Sequence, residues 1–159
     1  MLCKQTTPYN YNYMENEKIQ ILLADDDKDD CFLFREALSE LPIPTDLVTV
    51  HDGEQLMNYL GEHKNNLPDV LFLDLNMPRK NGFECLTEIK HNDDLQDLPV
   101  IMFSTSYPRD MGYEQDIIKV LYNIGAQDYI RKPEDFTKLK QVIHQMLIKI
   151  SGILSQPKS

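Results

Sequence analysis

The sequence predicts an α/β fold in which five parallel strands form one doubly wound sheet with helices on both faces. Five short apolar runs alternate with five amphipathic stretches, and this order is typical of βαβ units joined by right-handed crossovers. The first, third and fourth runs are apolar on both faces, as expected for central strands that helices cover from both sides. The 159 residues are enough for one domain with a hydrophobic core.

The first two strand–helix units follow from apolar spacing and from residues that begin or end helices. The run IQILLA at 19–24 predicts the first strand. Apolar residues then recur at helical spacing over 31–41, and Pro42 ends this helix. The run DLVTV at 46–50 predicts the second strand, and Asp52 after it caps the second helix.

The other three units follow the same rules. The run DVLFLDL at 69–75 predicts the third strand, and a third helix follows the segment NMPRKNG. The run PVIMFSTS at 99–106 predicts the fourth strand, and Gly125 ends a fourth helix. The run DYIR at 128–131 predicts a short fifth strand, and the last helix is expected over roughly 134–150.

The charge balance argues against two classes of partner. The chain carries 26 acidic against 16 basic residues, a formal net charge of −10. Non-specific nucleic-acid binding needs Lys and Arg to neutralise phosphates, and an anionic membrane surface attracts basic segments. We therefore expect neither nucleic acid nor a membrane surface among the partners.

Cysteine use and local composition indicate the compartment and the domain organisation. The three cysteines lack metal-ligand spacing, which predicts a reduced, cytoplasmic protein. No apolar run approaches the ~18 residues of a membrane span. We expect a flexible N-terminal extension at 1–17, one domain at 18–150 and a C-terminal tail at 151–159.

Polar side chains follow four of the five predicted strands. Asp25 and Asp26 follow the first strand, Asp74 and Ser104 end the third and fourth, and Lys132 follows the fifth. The carboxyl ends of parallel strands meet at one edge of the sheet, where ligands bind near the change in strand order. Carboxylate oxygens suit Mg²⁺, and a lysine is a point charge for phosphate. The set therefore suits a carboxylate nucleophile that attacks a phosphoryl group.

Aspartate occupies five of six consecutive positions directly after the first strand. Two carboxylates ~4 Å apart repel by roughly 4 kcal/mol near a protein surface, so this crowding needs solvation or a positive partner. We interpret Asp25 and Asp26 as a pair that holds metal. We interpret Asp27, Asp29 and Asp30 as a solvated helix N-terminus, where acids suit the helix dipole.

Four segments together resemble the receiver domain of two-component response regulators, the CheY-like family with a flavodoxin-like fold. They are LLADDD, LFLDLNMPRKNG, PVIMFSTS and GAQDYIRKP, each at a strand end and in the family's order, and the resemblance covers roughly residues 19–150. The resemblance implies that the domain predicted at 18–150 is a stand-alone receiver. No output domain is expected after residue 150.

The resemblance implies a role for each acid of the site. Asp74 is similar to the phosphoacceptor of the family, and Asp26 to its direct metal ligand. Asp25 corresponds to the acid that acts mainly through water, and the backbone carbonyl of Asn76 would complete a Mg²⁺ site that also includes Asp74.

The resemblance also implies roles around the phosphoryl group. Ser104 and Lys132 are similar to the hydroxyl and the lysine that contact it, and Tyr129 to the aromatic residue that turns inward on activation with Ser104. The Lys132–Pro133 bond is expected to be cis. Gly82 matches the glycine after the phosphoacceptor loop.

The implied partners are proteins. A histidine kinase or histidine phosphotransfer protein would supply the phosphoryl group, and an unknown downstream protein would contact the face of strand 4, helix 4 and strand 5. A homodimer through the face of helix 4, strand 5 and helix 5 is also compatible with the family. The chain would catalyse its own phosphorylation and dephosphorylation, and it would turn over no external substrate.

Two departures from the family pattern lie after the fourth strand. Ser104 and Lys132 are 28 positions apart, several more than usual, and the excess falls around 106–116. Thr105 occupies the place where the family usually has Ala or Gly. Both departures bear on partner choice and on the lifetime of the phosphoryl group.

Two other functions stay open from the residues alone. A Mg²⁺-dependent phosphohydrolase with an aspartyl-phosphate intermediate usually carries a second acid two places after the nucleophile, where this chain has Asn76. A flavin-binding module of the flavodoxin type needs a hydroxyl- and glycine-rich phosphate loop after the first strand, where this chain has aspartates. Both observations argue against the alternatives.

Overall fold

The computed structural model describes residues 17–105 and 111–154, and in these ranges strands and helices alternate throughout. The elements in chain order are β1 Ile19–Ala24, α1 Lys28–Ser39, β2 Thr45–Val50, α2 Gly53–Glu62, β3 Val70–Leu73, α3 Gly82–Lys90, β4 Val100–Ser104, α4 Met111–Ile124, β5 Asp128–Arg131 and α5 Phe136–Leu154.

The five strands form one parallel sheet in the order β2-β1-β3-β4-β5. The order changes direction at β1, which pairs with β2 on one side and with β3 on the other. Ala24, the last residue of β1, lies beside Leu73, the last residue of β3. The predicted fold class is confirmed, and the residues that follow these two strands start from adjacent positions at the change in strand order.

Each face of the sheet has its own hydrophobic core. Helices α1 and α5 cover one face, and α2, α3 and α4 cover the other. Within β3, Val70 and Phe72 belong to the first core, while Leu71 and Leu73 belong to the second. Side chains of a strand point alternately to opposite faces, so a strand covered on both sides is apolar throughout.

Side chains cap the first three helices at their N-termini. Asp27 caps α1, Asp52 caps α2 and Asn81 caps α3, each by accepting hydrogen bonds from backbone N–H groups of the first turn. Helix α4 ends before Gly125, which has a φ of +130°. The predictions for Asp52 and Gly125 are confirmed.

Some predicted bounds were wrong. Helix α5 continues to Leu154, four residues beyond the predicted end of the helix at 150. Helix α4 begins at Met111, so much of the long 106–116 connection is helical. Residues 1–16, 106–110 and 155–159, which include most of the predicted N-terminal extension and tail, lie outside the described residues.

The expected cis bond between Lys132 and Pro133 was also wrong. The described residues contain no cis peptide bond, so this bond is trans. The tertiary amide before a proline favours trans by only about 0.5–1 kcal/mol, and the bond's isomer therefore depends on its surroundings.

Within the same described residues, no helix is long and apolar enough to span a lipid bilayer.

Candidate functional site

Lys132 lies at the centre of a cluster of carboxylates at the carboxyl edge of the sheet. Its Nζ is 2.6 Å from Asp25 Oδ2, 2.8 Å from Asp30 Oδ2 and 3.4 Å from Asp74 Oδ2. The Lys132 side chain is 8% exposed, and its ammonium lies 5.6 Å from the centre of the Phe103 ring. One cation thus connects the ends of β1, β3 and β5 with the first turn of α1.

Backbone hydrogen bonds that continue the parallel ladders position these side chains. The Asp25 N–H donates to the carbonyl of the last residue of β2 at 3.0 Å, and the Asp74 N–H donates to the last residue of β1 at 3.0 Å. The Lys132 N–H donates to the carbonyl of Ser104 at 2.8 Å. Each functional residue is therefore the first to leave its strand while its own backbone is still held by a neighbour.

Gly82 allows α3 to approach the backbone of Asp74. A Cβ at this position would lie 2.0 Å from the Asp74 carbonyl oxygen, which is closer than atoms can come. The Gly82 N–H donates to the carbonyl of Leu75 at 2.9 Å. The glycine and this hydrogen bond together hold the loop after β3 against the N-terminus of α3.

Three carboxylates at this edge could hold a metal ion. Asp25, Asp26 and Asp74 each offer one carboxylate oxygen, and these atoms all lie within 4.8 Å of one another. Asp26 is exposed, whereas the other two side chains are buried. Oxygen donors of this kind fit a hard divalent cation that retains some of its water.

Burial and hydrogen bonds act in opposite directions on the pKa values of the cluster. Burial raises the pKa of the Asp25 carboxyl to about 6, although hydrogen bonds from Lys132 and from the Asp27 N–H lower it. Burial also raises the pKa of Asp74. Burial alone would lower the pKa of Lys132, but hydrogen bonds to Asp25 and Asp30 outweigh it and raise that pKa. The lysine therefore stays charged at neutral pH, and burial makes ionisation of the two acids less favourable.

Ser104 presents a buried hydroxyl to the same edge. Its side chain is fully buried at the end of β4, and its Oγ has no hydrogen-bond partner among the described residues. A buried hydroxyl without a partner costs about 1–3 kcal/mol. The hydroxyl therefore suits an acceptor oxygen that binds from outside the protein.

Tyr129 lies on β5, three residues before Lys132, and takes part in a second group of contacts. Its phenolic O–H donates to Glu114 Oε1 at 3.3 Å, and Arg131 forms an ion pair with Glu114 Oε2 at 3.5 Å. Glu114 is largely buried on α4, and Tyr129 packs against the core between the sheet and α4. Glu114 thus links α4 to β5 close to the strand end that carries Lys132.

The sequence-predicted acids, the lysine and Ser104 all lie at one edge of the sheet, while Tyr129 packs against the core on the side of α4. Asp27 lies at the helix N-terminus as expected and caps it, but the interpretation of Asp30 as part of a solvated helix N-terminus was wrong, since it contacts Lys132. Sequence reasoning also missed Glu114. The only local signal for Glu114 was an acid among the apolar positions of an amphipathic helix.

A doubly wound sheet with buried acids and one buried lysine at the carboxyl ends of its strands defines a phosphorylation-controlled signalling domain. The chain belongs to the response regulator receiver domain family, which matches residues 21–144. It is therefore a response regulator of two-component phosphorelay signalling, and receiver domains of this kind are phosphorylated by histidine kinases and bind a divalent metal. The family does not favour the phosphohydrolase or the flavin module.

Relatives of known identity agree with this assignment. The response regulator Rcp1 of Synechocystis sp. is 35% identical over 127 residues, which cover 77% of this chain and 82% of that protein. A crystal structure of the phosphorylated cyanobacterial phytochrome response regulator RcpA has a TM-score of 0.73 and 35% identity, covering 89% of this chain and 98% of that one. The Mn²⁺-bound form of Rcp1 has a TM-score of 0.67 and 32% identity, covering 80% and 90%.

Proposed function

We propose that Asp74 is the phosphoacceptor of this receiver. The observation that carries the proposal is the approach of Lys132 Nζ to within 3.4 Å of Asp74 Oδ2, with the unpartnered Ser104 hydroxyl at the same edge. An anion attached to Asp74 would gain a cation and a hydrogen-bond donor there. Asp74 follows β3, which pairs with the strand that ends in Ser104, whereas Asp25 and Asp30 follow β1, which β3 separates from that strand.

The proposed reaction is transfer of a phosphoryl group from a histidine. A carboxylate oxygen of Asp74 attacks phosphorus, the N–P bond to the donor imidazole breaks, and the imidazole leaves with the electron pair and takes a proton. Lys132 and the Ser104 hydroxyl bind the phosphoryl oxygens, on which negative charge is spread in the transition state. The receiver thereby catalyses its own phosphorylation, and later its own dephosphorylation by water.

The acidic cluster fits Mg²⁺ as the metal of this reaction. Asp25, Asp26, Asp74 and the backbone carbonyl of Asn76 are the groups that would hold it. When bound, Mg²⁺ would supply positive charge that neutralises phosphoryl oxygens. The closeness of the Asp25, Asp26 and Asp74 carboxylate oxygens, all within 4.8 Å of one another, supports the proposal, because such a group favours a cation between them.

The proposed output is a change in protein contacts. Ser104 and Tyr129 would be the switch residues, and Glu114 would link their movement to α4. We place the downstream protein contact on the face formed by β4, α4 and β5, and a homodimer contact on the face of α4, β5 and α5. We also propose a cytoplasmic location, supported by the free thiols of Cys31 and Cys85.

Intact mass spectrometry tests the phosphoacceptor. With Mg²⁺ and acetyl phosphate, the wild type should gain one phosphoryl group and Asp74→Asn should gain none. Asp93→Asn is the matched control, because Asp93 is an exposed acid after α3 at the opposite edge of the sheet. It should be labelled like the wild type. Equal labelling of Asp74→Asn would contradict the assignment.

A further inference from the structure

Asp30 makes one of the two shortest contacts of Lys132, although the family resemblance gives it no role. The Asp30 carboxylate lies 2.8 Å from the ammonium, whereas Asp74 lies 3.4 Å away. In the described structure the lysine is therefore bound more closely to the side of β1 and α1 than to the proposed phosphoacceptor.

The three carboxylates occupy the full donor capacity of the ammonium. A lysine has three N–H donors and no acceptor, and Lys132 donates to Asp25, Asp30 and Asp74. A phosphoryl oxygen on Asp74 can be bound by Lys132 only if one of these bonds weakens. Asp30 is the partner that water can most easily replace, since its side chain is 30% exposed while those of Asp25 and Asp74 are 1% and 8% exposed.

Helix capping does not account for the position of the Asp30 carboxylate. Asp27 caps α1, and in a capping box the side chain three residues later reaches back to the backbone N–H of the cap residue. Here that N–H donates to Asp25 Oδ1 at 2.9 Å instead. That N–H is therefore not the partner of Asp30, whose carboxylate contacts Lys132 instead.

We propose that Asp30 is a positioning residue that restrains Lys132 in the unphosphorylated protein and competes with a phosphoryl group on Asp74 for the ammonium. The inference rests on the proposed function of Asp74. When the phosphoryl group is present, one N–H of Lys132 turns to a phosphoryl oxygen and water hydrates the Asp30 carboxylate. Separating this ion pair disfavours the phosphorylated state, so Asp30 limits how strongly the site holds a phosphoryl group.

Asp29 provides a matched control for charge. It lies next to Asp30 in the first turn of α1, is exposed, and is not among the partners of Lys132. Asp29→Asn and Asp30→Asn change the net charge equally, and each removes one acid from the same helix N-terminus. A difference between the two variants therefore reports the contact with Lys132.

The test measures binding of beryllofluoride, an anionic mimic of the phosphoryl group, in the presence of Mg²⁺. The readout is the ¹⁵N signal of Lys132 Nζ, identified by its loss in Lys132→Arg. Asp30→Asn should bind beryllofluoride about fivefold more tightly than the wild type, a change equivalent to about 1 kcal/mol. Asp29→Asn should stay within about twofold of the wild type. Asp30→Glu, which keeps a carboxylate, should return the affinity toward the wild-type value.

A second readout does not depend on phosphorylation. In the unphosphorylated protein, the ammonium protons of Lys132 should exchange with water faster in Asp30→Asn than in Asp29→Asn. A wild type that binds no beryllofluoride would reject the proposed function of Asp74. A wild type that binds it, with Asp30→Asn no tighter than Asp29→Asn, would overturn the role of Asp30 and leave that function intact.

Discussion

We expect Lys132 to contribute more to the binding of an anion at this edge of the sheet than to the stability of the fold. Removing charges from water costs several kcal/mol for each ion, and ion pairing in the interior roughly offsets this cost. Lys132, Asp25 and Asp74 are all nearly buried, so their pairing is weak evidence for a stabilising role. Their position at the change in strand order is better explained by the proposed phosphoryl group.

Asp128 lies outside this site, and its side chain connects three elements of the fold. At the start of β5, it accepts hydrogen bonds from the Tyr122 O–H of α4 at 2.9 Å and from Lys149 Nζ of α5 at 2.8 Å. Burial acts to raise the pKa of Asp128, but the hydrogen bonds, that from Lys149 first, outweigh burial and lower this pKa below its ordinary value of 3.8.

We expect Asp128→Asn to lower the free energy of unfolding by about 1 kcal/mol at neutral pH. A lowered carboxyl pKa contributes stability that is present above pH 3.8 and is lost as the pH falls through the folded-state pKa. The difference from the wild type should therefore shrink in acid. Urea unfolding from neutral pH to below pH 3.8 measures this difference in the free energy of unfolding, with Asp93→Asn as an exposed-acid control. A difference that is independent of pH would contradict the role of the charge.

The residues of the site differ in how far the sequence alone could predict them. Asp74 and Lys132 stand at the ends of apolar runs, where an unpartnered charge is costly, so their local sequence indicates a function. Asp30 gives no such signal, because a helix N-terminus explains an acid equally well. Its partner lies 102 positions away along the chain, and this pairing depends on the assembled sheet.

At the scale of elements, periodicity predicted where helices and strands lie better than where they end. Strand β3 covers Val70–Leu73, shorter than the apolar run at 69–75. Leu75 and Met77 are buried although they lie in the loop after the strand. A buried apolar residue of the loop, Leu75, therefore lengthened the predicted strand, and only the ladder hydrogen bonds of the assembled sheet show its end.

The close approach of α3 to the loop after β3 gives a prediction for two glycines. A Cβ at Gly82 would lie 2.0 Å from the Asp74 carbonyl oxygen, whereas a Cβ at Gly61 of α2 would meet no atom within 4 Å. Gly82→Ala should lower the free energy of unfolding by about 2–3 kcal/mol, because the helix must move away from the loop. Gly61→Ala should raise it by about 0.5–1 kcal/mol through helix propensity.

Chemical denaturation of the two alanine variants distinguishes close packing from a general effect of glycine replacement. Opposite signs at the two positions are expected, and a smaller yield of phosphorylated protein should accompany the loss of stability in Gly82→Ala alone. Equal effects at Gly82 and Gly61 would show that contact with the Asp74 backbone does not determine the requirement for glycine.

At the scale of the molecule, the convergence of the site follows from the topology. Right-handed crossovers and a parallel sheet bring the carboxyl ends of all strands to one edge, so Asp25, Asp74 and Lys132 could be predicted to lie together. The order of elements does not determine how α4 packs on β5. The contacts of Glu114 with Tyr129 and Arg131 therefore could not be predicted from the sequence.

The acidic cluster should make the stability of the whole domain depend on Mg²⁺. Three carboxylates with oxygens within 4.8 Å of one another repel when no cation other than Lys132 is near, and a ligand that binds the folded state raises the melting temperature by mass action. Asp26→Asn should stabilise the protein in EDTA by about 1 kcal/mol and should lose the rise with Mg²⁺. Asp29→Asn, outside the cluster, should keep that rise. Calorimetric scans with EDTA and with millimolar Mg²⁺ measure both effects, and an unchanged Mg²⁺ response in Asp26→Asn would reject Asp26 as a ligand.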